Sequence, residues 1–75
     1  MNADFTKAVE IVARRMVDGV LTGDTLSPER LVLLVRMVAP PGAERDVLTA
    51  AHDLYVTRIE DIIARAKRLI RGPSA

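Results

Sequence analysis

The chain has 75 residues and a mass of 8.2 kDa, which is the size of one small domain. Apolar residues make up 49% of it, which excludes a disordered chain, and a net charge of +1 gives no bulk attraction to nucleic acid or anionic membranes. The absence of cysteine excludes disulfides, thiolate metal sites and a thiol nucleophile.

The first predicted helix covers residues 4–21. Its apolar residues recur at steps of three and four, which is typical of a helix with one buried face. Glu10 and Arg14 lie on the opposite face and are spaced for an i,i+4 ion pair. Gly19 weakens the last turn, and Gly23 is a natural C-terminal stop.

The second helix is predicted over residues 28–39. Ser27 is a favourable N-cap, Pro28 is a favourable first residue, and the run from Pro40 to Gly42 must end the helix. Nearly every residue between these signals is apolar, and such a helix is normally buried on most sides. Arg36 is the one charge in the middle of this helix, and we expect it to reach the edge of the surface or to pair with an acid across an interface.

The third helix is predicted over residues 43–71, followed by a frayed tail at residues 72–75. Its apolar residues step four, three, four, three, which defines a heptad seam with further apolar residues beside it. A helix of this length would span about 43 Å. The residues of the seam are Leu48, His52, Tyr55, Ile59, Ile62, Ala66 and Leu69.

These elements predict an all-α fold of three helices in one domain, residues 1–71. One long helix and one shorter helix cannot surround the apolar second helix, so we expect a homodimer, or a larger assembly, to complete the bundle. The alternatives are a monomeric three-helix bundle with an exposed apolar patch, or a third helix that breaks near Thr57.

The predicted contact surfaces are the second helix and the seam of the third helix. By default Phe5, Tyr55, Met16 and Met37 belong to the core, although Met37 could also serve an adaptable binding groove. The predicted interface residues are Leu31, Leu34, Val35, Arg36, Val38, His52, Tyr55, Ile59, Ile62, Ile63 and Leu69.

The sequence contains one histidine, His52, and Asp53 follows it. Adjacent side chains on a helix point apart, so Asp53 is a poor partner to orient His52 as a general base. Thr49 lies three residues before His52, so the Glu-x-x-His motif of di-iron bundles is absent. We therefore expect His52 to lie in the core or an interface, where it could make association pH-sensitive, and we expect no catalytic site, metal or cofactor.

Cations are concentrated at the end of the third helix, where no acid follows Asp61. These cations could contact phosphate groups of DNA, RNA or a lipid surface, or they could simply complement the helix dipole and aid solubility. Asp61 can pair with Arg65 or with Arg58. The candidate phosphate contacts are Arg65, Lys67, Arg68 and Arg71.

Together these features predict a non-catalytic helical interaction protein, such as an adaptor, an assembly subunit or a regulator. It would bind a second copy of itself, a larger protein, or both. The alternative is an accessory protein that binds nucleic acid through its basic end. A membrane surface is the least favoured of the partners considered. Residues 1–5 lack the pattern of a signal peptide, which favours a cytoplasmic protein. The excess of arginine over lysine suggests a GC-rich bacterial or phage coding sequence.

Overall fold

A computed structural model describes residues 3–72 and the side chains of residues 4–72. It contains three helices, which are α1 (Ala3–Thr22), α2 (Pro28–Val38) and α3 (Glu44–Arg71). Within the described residues there is no strand, so the predicted all-α fold of three helices is confirmed, and each helix end lies within one residue of its predicted position.

The helix ends follow the local signals in the sequence. The Ser27 side chain accepts a hydrogen bond from the backbone N–H of Arg30 at 3.3 Å, and Pro28 is the first residue of α2. Gly72 ends α3 with a φ of 70°, and its N–H donates to the Arg68 carbonyl at 3.0 Å. The rest of the predicted tail, residues 73–75, lies outside the described residues.

The core is built mainly where α3 packs against α1. Its members are alanine and valine, and the largest fully buried side chains are Val12 and Val47. Small side chains at a helix contact allow the two axes to approach closely. The buried core residues are Ala8, Val12, Ala13, Val35, Val47 and Ala51.

The helix α2 folds back along α1. Near its start Leu31 lines a cavity together with Met16 and Val20, and at its end Val38 lines a second cavity with Ala8. The two helices therefore run antiparallel. Phe5 and Met16 of α1 were both expected in the core. They are partly buried and pack against the buried core residues.

In the single chain α2 is buried along one side, which agrees with the expectation that one long helix and one shorter helix cannot surround it. Val35 is its one buried residue, whereas Val32, Leu33 and Met37 are 40%, 58% and 82% exposed. Met37 is therefore not a core residue. The reason is geometric, because α2 contacts the rest of the chain along one side and leaves its other faces uncovered.

The face of α3 that packs within the chain is offset by one residue from the predicted seam. Val47 and Ala51 are fully buried, and Leu54 packs against them, so the inner seam follows the same four–three spacing. The predicted seam lies on the flank of this face. His52 is accordingly exposed rather than buried in the core, and its ring centroid lies 6.1 Å from that of Tyr55.

The chain is elongated because α3 is long and continuous. It does not break near Thr57, whose hydroxyl donates to the Asp53 carbonyl at 3.1 Å within the helix. The longest dimension is 52 Å, and the radius of gyration is 14.8 Å. A compact domain of this length would have a radius of gyration of about 11 Å.

A long-range ion pair joins α1 to α3. Arg58 Nη2 donates to Glu10 Oε1 at 2.8 Å, and Arg58 Nη1 lies 2.6 Å from Glu10 Oε2, an atom that is itself buried. This bidentate ion pair replaces the predicted pair between Glu10 and Arg14. Asp61 accordingly pairs with Arg65, at 3.5 Å, rather than with Arg58.

The ion pair shifts the titration of both partners. The hydrogen bond from Arg58 lowers the pKa of Glu10, an effect that desolvation opposes and that the positive charges of Arg58 and Arg14 reinforce. The same hydrogen bond raises the pKa of Arg58. The ionised forms of both groups therefore favour the folded state.

Gly19 allows the connection between α1 and α2 to pack against the end of α1. The Asp24 N–H donates to the Gly19 carbonyl at 2.9 Å, and Asp24 also pairs with Arg15 at 3.3 Å. A Cβ atom on Gly19 would lie 2.9 Å from the Asp24 carbonyl oxygen and 3.1 Å from Thr25 Cα. Gly19 is thus required by close backbone approach, although by propensity it weakens the helix.

We expect Gly19→Ala to destabilise the protein. Alanine in an open helix interior would stabilise it by about 0.5–1 kcal/mol, but here the added Cβ must displace backbone, which costs roughly 1–3 kcal/mol. Chemical unfolding followed by circular dichroism measures the difference. Asp18→Ala, at the exposed neighbouring position, is the control and should change stability much less. A higher unfolding midpoint for Gly19→Ala would contradict this account.

We expect Glu10→Gln to lower the thermal midpoint by a few degrees at pH 7 and by much less at pH 3. The pKa of Glu10 lies below its ordinary value of 4.5 in the folded state, so its contribution is present above that value. It is lost as the pH falls through the lowered pKa.

Asp61→Asn removes an exposed i,i+4 pair and is the matched control, with little effect at either pH. Thermal melts of both variants and the parent chain at the two pH values make the comparison. A Glu10→Gln deficit that is equal at pH 7 and pH 3 would show that the Glu10–Arg58 pair does not cause it.

Candidate interaction surface

An apolar surface runs along the C-terminal half of α3, outside the core. Ile63, Leu69 and Ile70 are 49%, 82% and 85% exposed, and Ile59 and Ile62 are half-buried. At 3.6 residues per turn these positions fall on one side of the helix. We call this surface the α3 stripe, and its members are Ile59, Ile62, Ile63, Ala66, Leu69 and Ile70.

Local interactions maintain this part of α3 as a helix. Asp61 and Arg65 form an i,i+4 ion pair, and Arg68 and Arg71 lie in the last turn, where cations complement the helix dipole. Gly72 closes the end. The helix is therefore continuous beyond the core, while its apolar side is left facing solvent.

On the side of α3 opposite the α3 stripe lie Arg65, Arg68 and Arg71, whereas Lys67, four residues after Ile63, lies at the border of the stripe. All four basic residues are exposed, and of these four Arg65 forms an ion pair within the described part of the chain, with Asp61. The cationic face is therefore free to attract a negatively charged partner. It consists of Arg65, Lys67, Arg68 and Arg71.

Charge is distributed unevenly along α3. Residues 44–61 carry five acids and two arginines, whereas residues 62–71 carry four basic residues and no acid. The helix is therefore net negative in its first part and net positive in its second. This polarity constrains how a second helix could align with it.

A second apolar surface lies on α2, where Val32, Leu33 and Met37 are exposed. Arg36 is exposed beside them and lines a cavity with Glu44 and Arg45. Arg36 thus reaches the surface, which is one of the two outcomes expected for it.

The structure distributes the predicted interface residues over several environments. On α2, Val35 belongs to the core of the chain, and Leu31, Leu34 and Val38 pack against that core while partly exposed. On α3, Tyr55, Ile59 and Ile62 are half-buried, and His52, Ile63 and Leu69 are exposed.

The predicted contacts did not include several exposed apolar residues of α2 and α3, among them Leu33 and Ile70. Ile70 lies seven residues after Ile63, so the heptad spacing carried the signal for it. Leu33 had no distinguishing signal, because it lies in an uninterrupted apolar run.

Other kinds of site find little support in the described part of the chain. Residues 4–72 contain no group of three or more acids or histidines that could hold a metal ion. None of the described helices combines the length and apolar character needed to cross a membrane. His52 lies on the surface beside Tyr55, and it lines an open cavity of about 410 Å³ together with Leu31 and Leu48.

Comparison of the chain with known protein families, with characterised proteins and with solved structures gives no match. What the protein does is therefore inferred from the two exposed apolar surfaces and from the charges that surround them.

Proposed function

We propose that the protein is a small, non-catalytic helical interaction protein that acts through self-association, as an adaptor, assembly subunit or regulator. The observation that carries this proposal is the exposure of Ile63, Leu69 and Ile70 on a helix that continues beyond the core. Contiguous exposed apolar side chains on a soluble domain mark an interaction site. The α3 stripe is the proposed contact surface.

The total accessible surface supports the same proposal. It is 5696 Å². A compact monomer of this mass would expose roughly 4,500 Å². The excess of roughly 1,200 Å² exceeds the roughly 800 Å² that one partner buries in a standard protein–protein interface.

The larger protein partner expected from the sequence stays a prediction. The exposed face of α2, with Val32, Leu33 and Met37, is a surface that self-association through the α3 stripe would leave uncovered.

We expect the parent chain to show a mass that rises with concentration from 8.2 kDa toward twice that value. Ile70→Glu should remain at the monomer mass, because a charge in an apolar contact is strongly disfavoured. Ile70 is 85% exposed, so the variant should keep its helix signal. Light scattering on a sizing column, across a tenfold concentration range, measures both.

Met37→Glu is the matched control, since Met37 is 82% exposed on α2 and lies outside the α3 stripe. It should associate like the parent chain. A parent chain that remains a monomer at every concentration would rule out self-association, and an equal loss in both variants would rule out the α3 stripe as its surface.

A second candidate function is nucleic-acid binding through the cationic face of α3. The observation that favours it is that Lys67, Arg68 and Arg71 are exposed and have no acidic partner among residues 4–72. Arginine and lysine on a free helix face can contact phosphate groups without base specificity. The same cations also complement the dipole at the end of α3, so this candidate stands second.

If this second candidate is correct, affinity for a DNA duplex should fall with salt at a slope of up to about −3.6 in log–log terms, for four phosphate contacts. The double variant Arg68→Gln/Arg71→Gln should reduce that slope by about two. The matched control is Arg30→Gln/Arg45→Gln, which removes two exposed arginines elsewhere. No binding at 50 mM salt, or equal effects of the two double variants, would exclude the cationic face as a duplex-binding site.

A further inference from the structure

We propose that the occupant of the α3 stripe is the α3 stripe of a second copy of this chain, with the two helices antiparallel over residues 58–71. This inference rests on the proposed self-association and specifies its geometry. It follows from the order of apolar and charged side chains along the exposed part of α3.

The first observation is the spacing along the stripe. Ile59, Ile63, Ala66 and Ile70 step four, three, four, which is the a/d pattern of a coiled-coil seam. In an antiparallel pair each a residue faces a d residue of the other helix. Ile63 then packs against Ala66 of the second copy, and Ile59 packs against Ile70 of the second copy. The two-fold axis falls between residues 64 and 65, and a large side chain meets a small one at the centre.

The second observation is the pair of charges on one flank of the seam. Glu60 and Lys67 are both exposed and lie seven residues apart, so they occupy equivalent positions on the same side. Antiparallel alignment places Glu60 of each copy beside Lys67 of the other and forms two symmetric ion pairs. On the opposite flank, Ile62 of each copy meets Leu69 of the other and extends the apolar contact.

A parallel pair would lack these matches. It would place the apolar flank of one helix, with Ile62, against the charged flank of the other, with Lys67. It would also bring the two ends that carry four basic residues each side by side. Like charges at an interface disfavour an alignment, whereas the antiparallel alignment sets each basic end beside Glu60 of the other copy.

The third observation is that the segment is accessible. Residues 63–71 are all exposed, and no residue after Ala51 belongs to the fully buried core. A second α3 can therefore pack here without displacing α1 or α2. Two heptads form a small contact, and small protein interfaces are weak and transient. The association is accordingly expected to depend on concentration.

Distance measurements between spin labels test the orientation in the full chain. The absence of cysteine means that Ala64→Cys or Asp53→Cys gives one labelling site per copy. In the antiparallel pair, labels at residue 64 are nearly level with each other along the helix axis. Labels at residue 53 are separated by roughly 35 Å along the helix axis. In a parallel pair the two labels are level with each other at either position, so both separations are short.

Charge reversal tests the flank. Glu60→Lys and Lys67→Glu should each raise the dimer dissociation constant roughly tenfold, because two ion pairs become two like-charge contacts. Mixing the two variants should restore association as a heterodimer, since the opposite charges then face each other. Asp61→Lys is the matched control, because Asp61 lies on the outer side of α3, away from the seam, and the change should have a much smaller effect.

The outcomes separate this inference from the proposed function on which it rests. A dimer with short distances at both labelled positions would overturn the antiparallel geometry and leave self-association standing. A monomer at all concentrations would overturn both. Anionic phospholipid vesicles added to that monomer would then show whether the basic amphipathic segment binds a lipid surface instead.

Discussion

The structure depends on the close contact between α1 and α3, which is made by small side chains. Alanine and valine fill the core, and its largest fully buried side chains are Val12 and Val47. The larger apolar side chains, such as Met37, Leu69 and Ile70, lie outside it. Fully burying such a side chain is worth about 1.5–3 kcal/mol. The single chain therefore leaves much of its available apolar stabilisation unused, and association with another helix is the direct way to use it.

The helices were predictable because their ends are encoded locally. Ser27 and Pro28 start α2, the proline pair before Gly42 ends it, and Gly72 ends α3, so each boundary required only neighbouring residues. The inner face of α3 was not predictable in the same way. The set beginning at Val47 and the set beginning at Leu48 have the same four–three spacing, and periodicity alone does not say which one the chain buries.

Long-range contacts account for the remaining differences between sequence and structure. Local spacing pairs Glu10 with Arg14, but Arg58 from α3 reaches Glu10 with two contacts and prevails over the single-turn pair. By helix propensity Gly19 weakens α1, yet its missing side chain allows the backbone of Asp24 and Thr25 to pack closely against the helix. In the same way the sequence does not show which residues of α2 are buried within the chain, since a buried Val35 and an exposed Met37 look alike in an apolar run.

The two adjacent seams of α3 divide one helix between two tasks. The inner seam, through Val47, Ala51 and Leu54, joins α3 to its own chain, and the outer seam begins at Ile59, where contact with the core ends. The charge of the helix changes sign near the same point, from acidic before residue 62 to basic after it. A helix with this polarity is complementary to itself when reversed and repels itself when aligned in the same direction. The four–three apolar spacing of α3, together with this charge polarity, therefore favours a second copy of the chain as the partner and an antiparallel orientation.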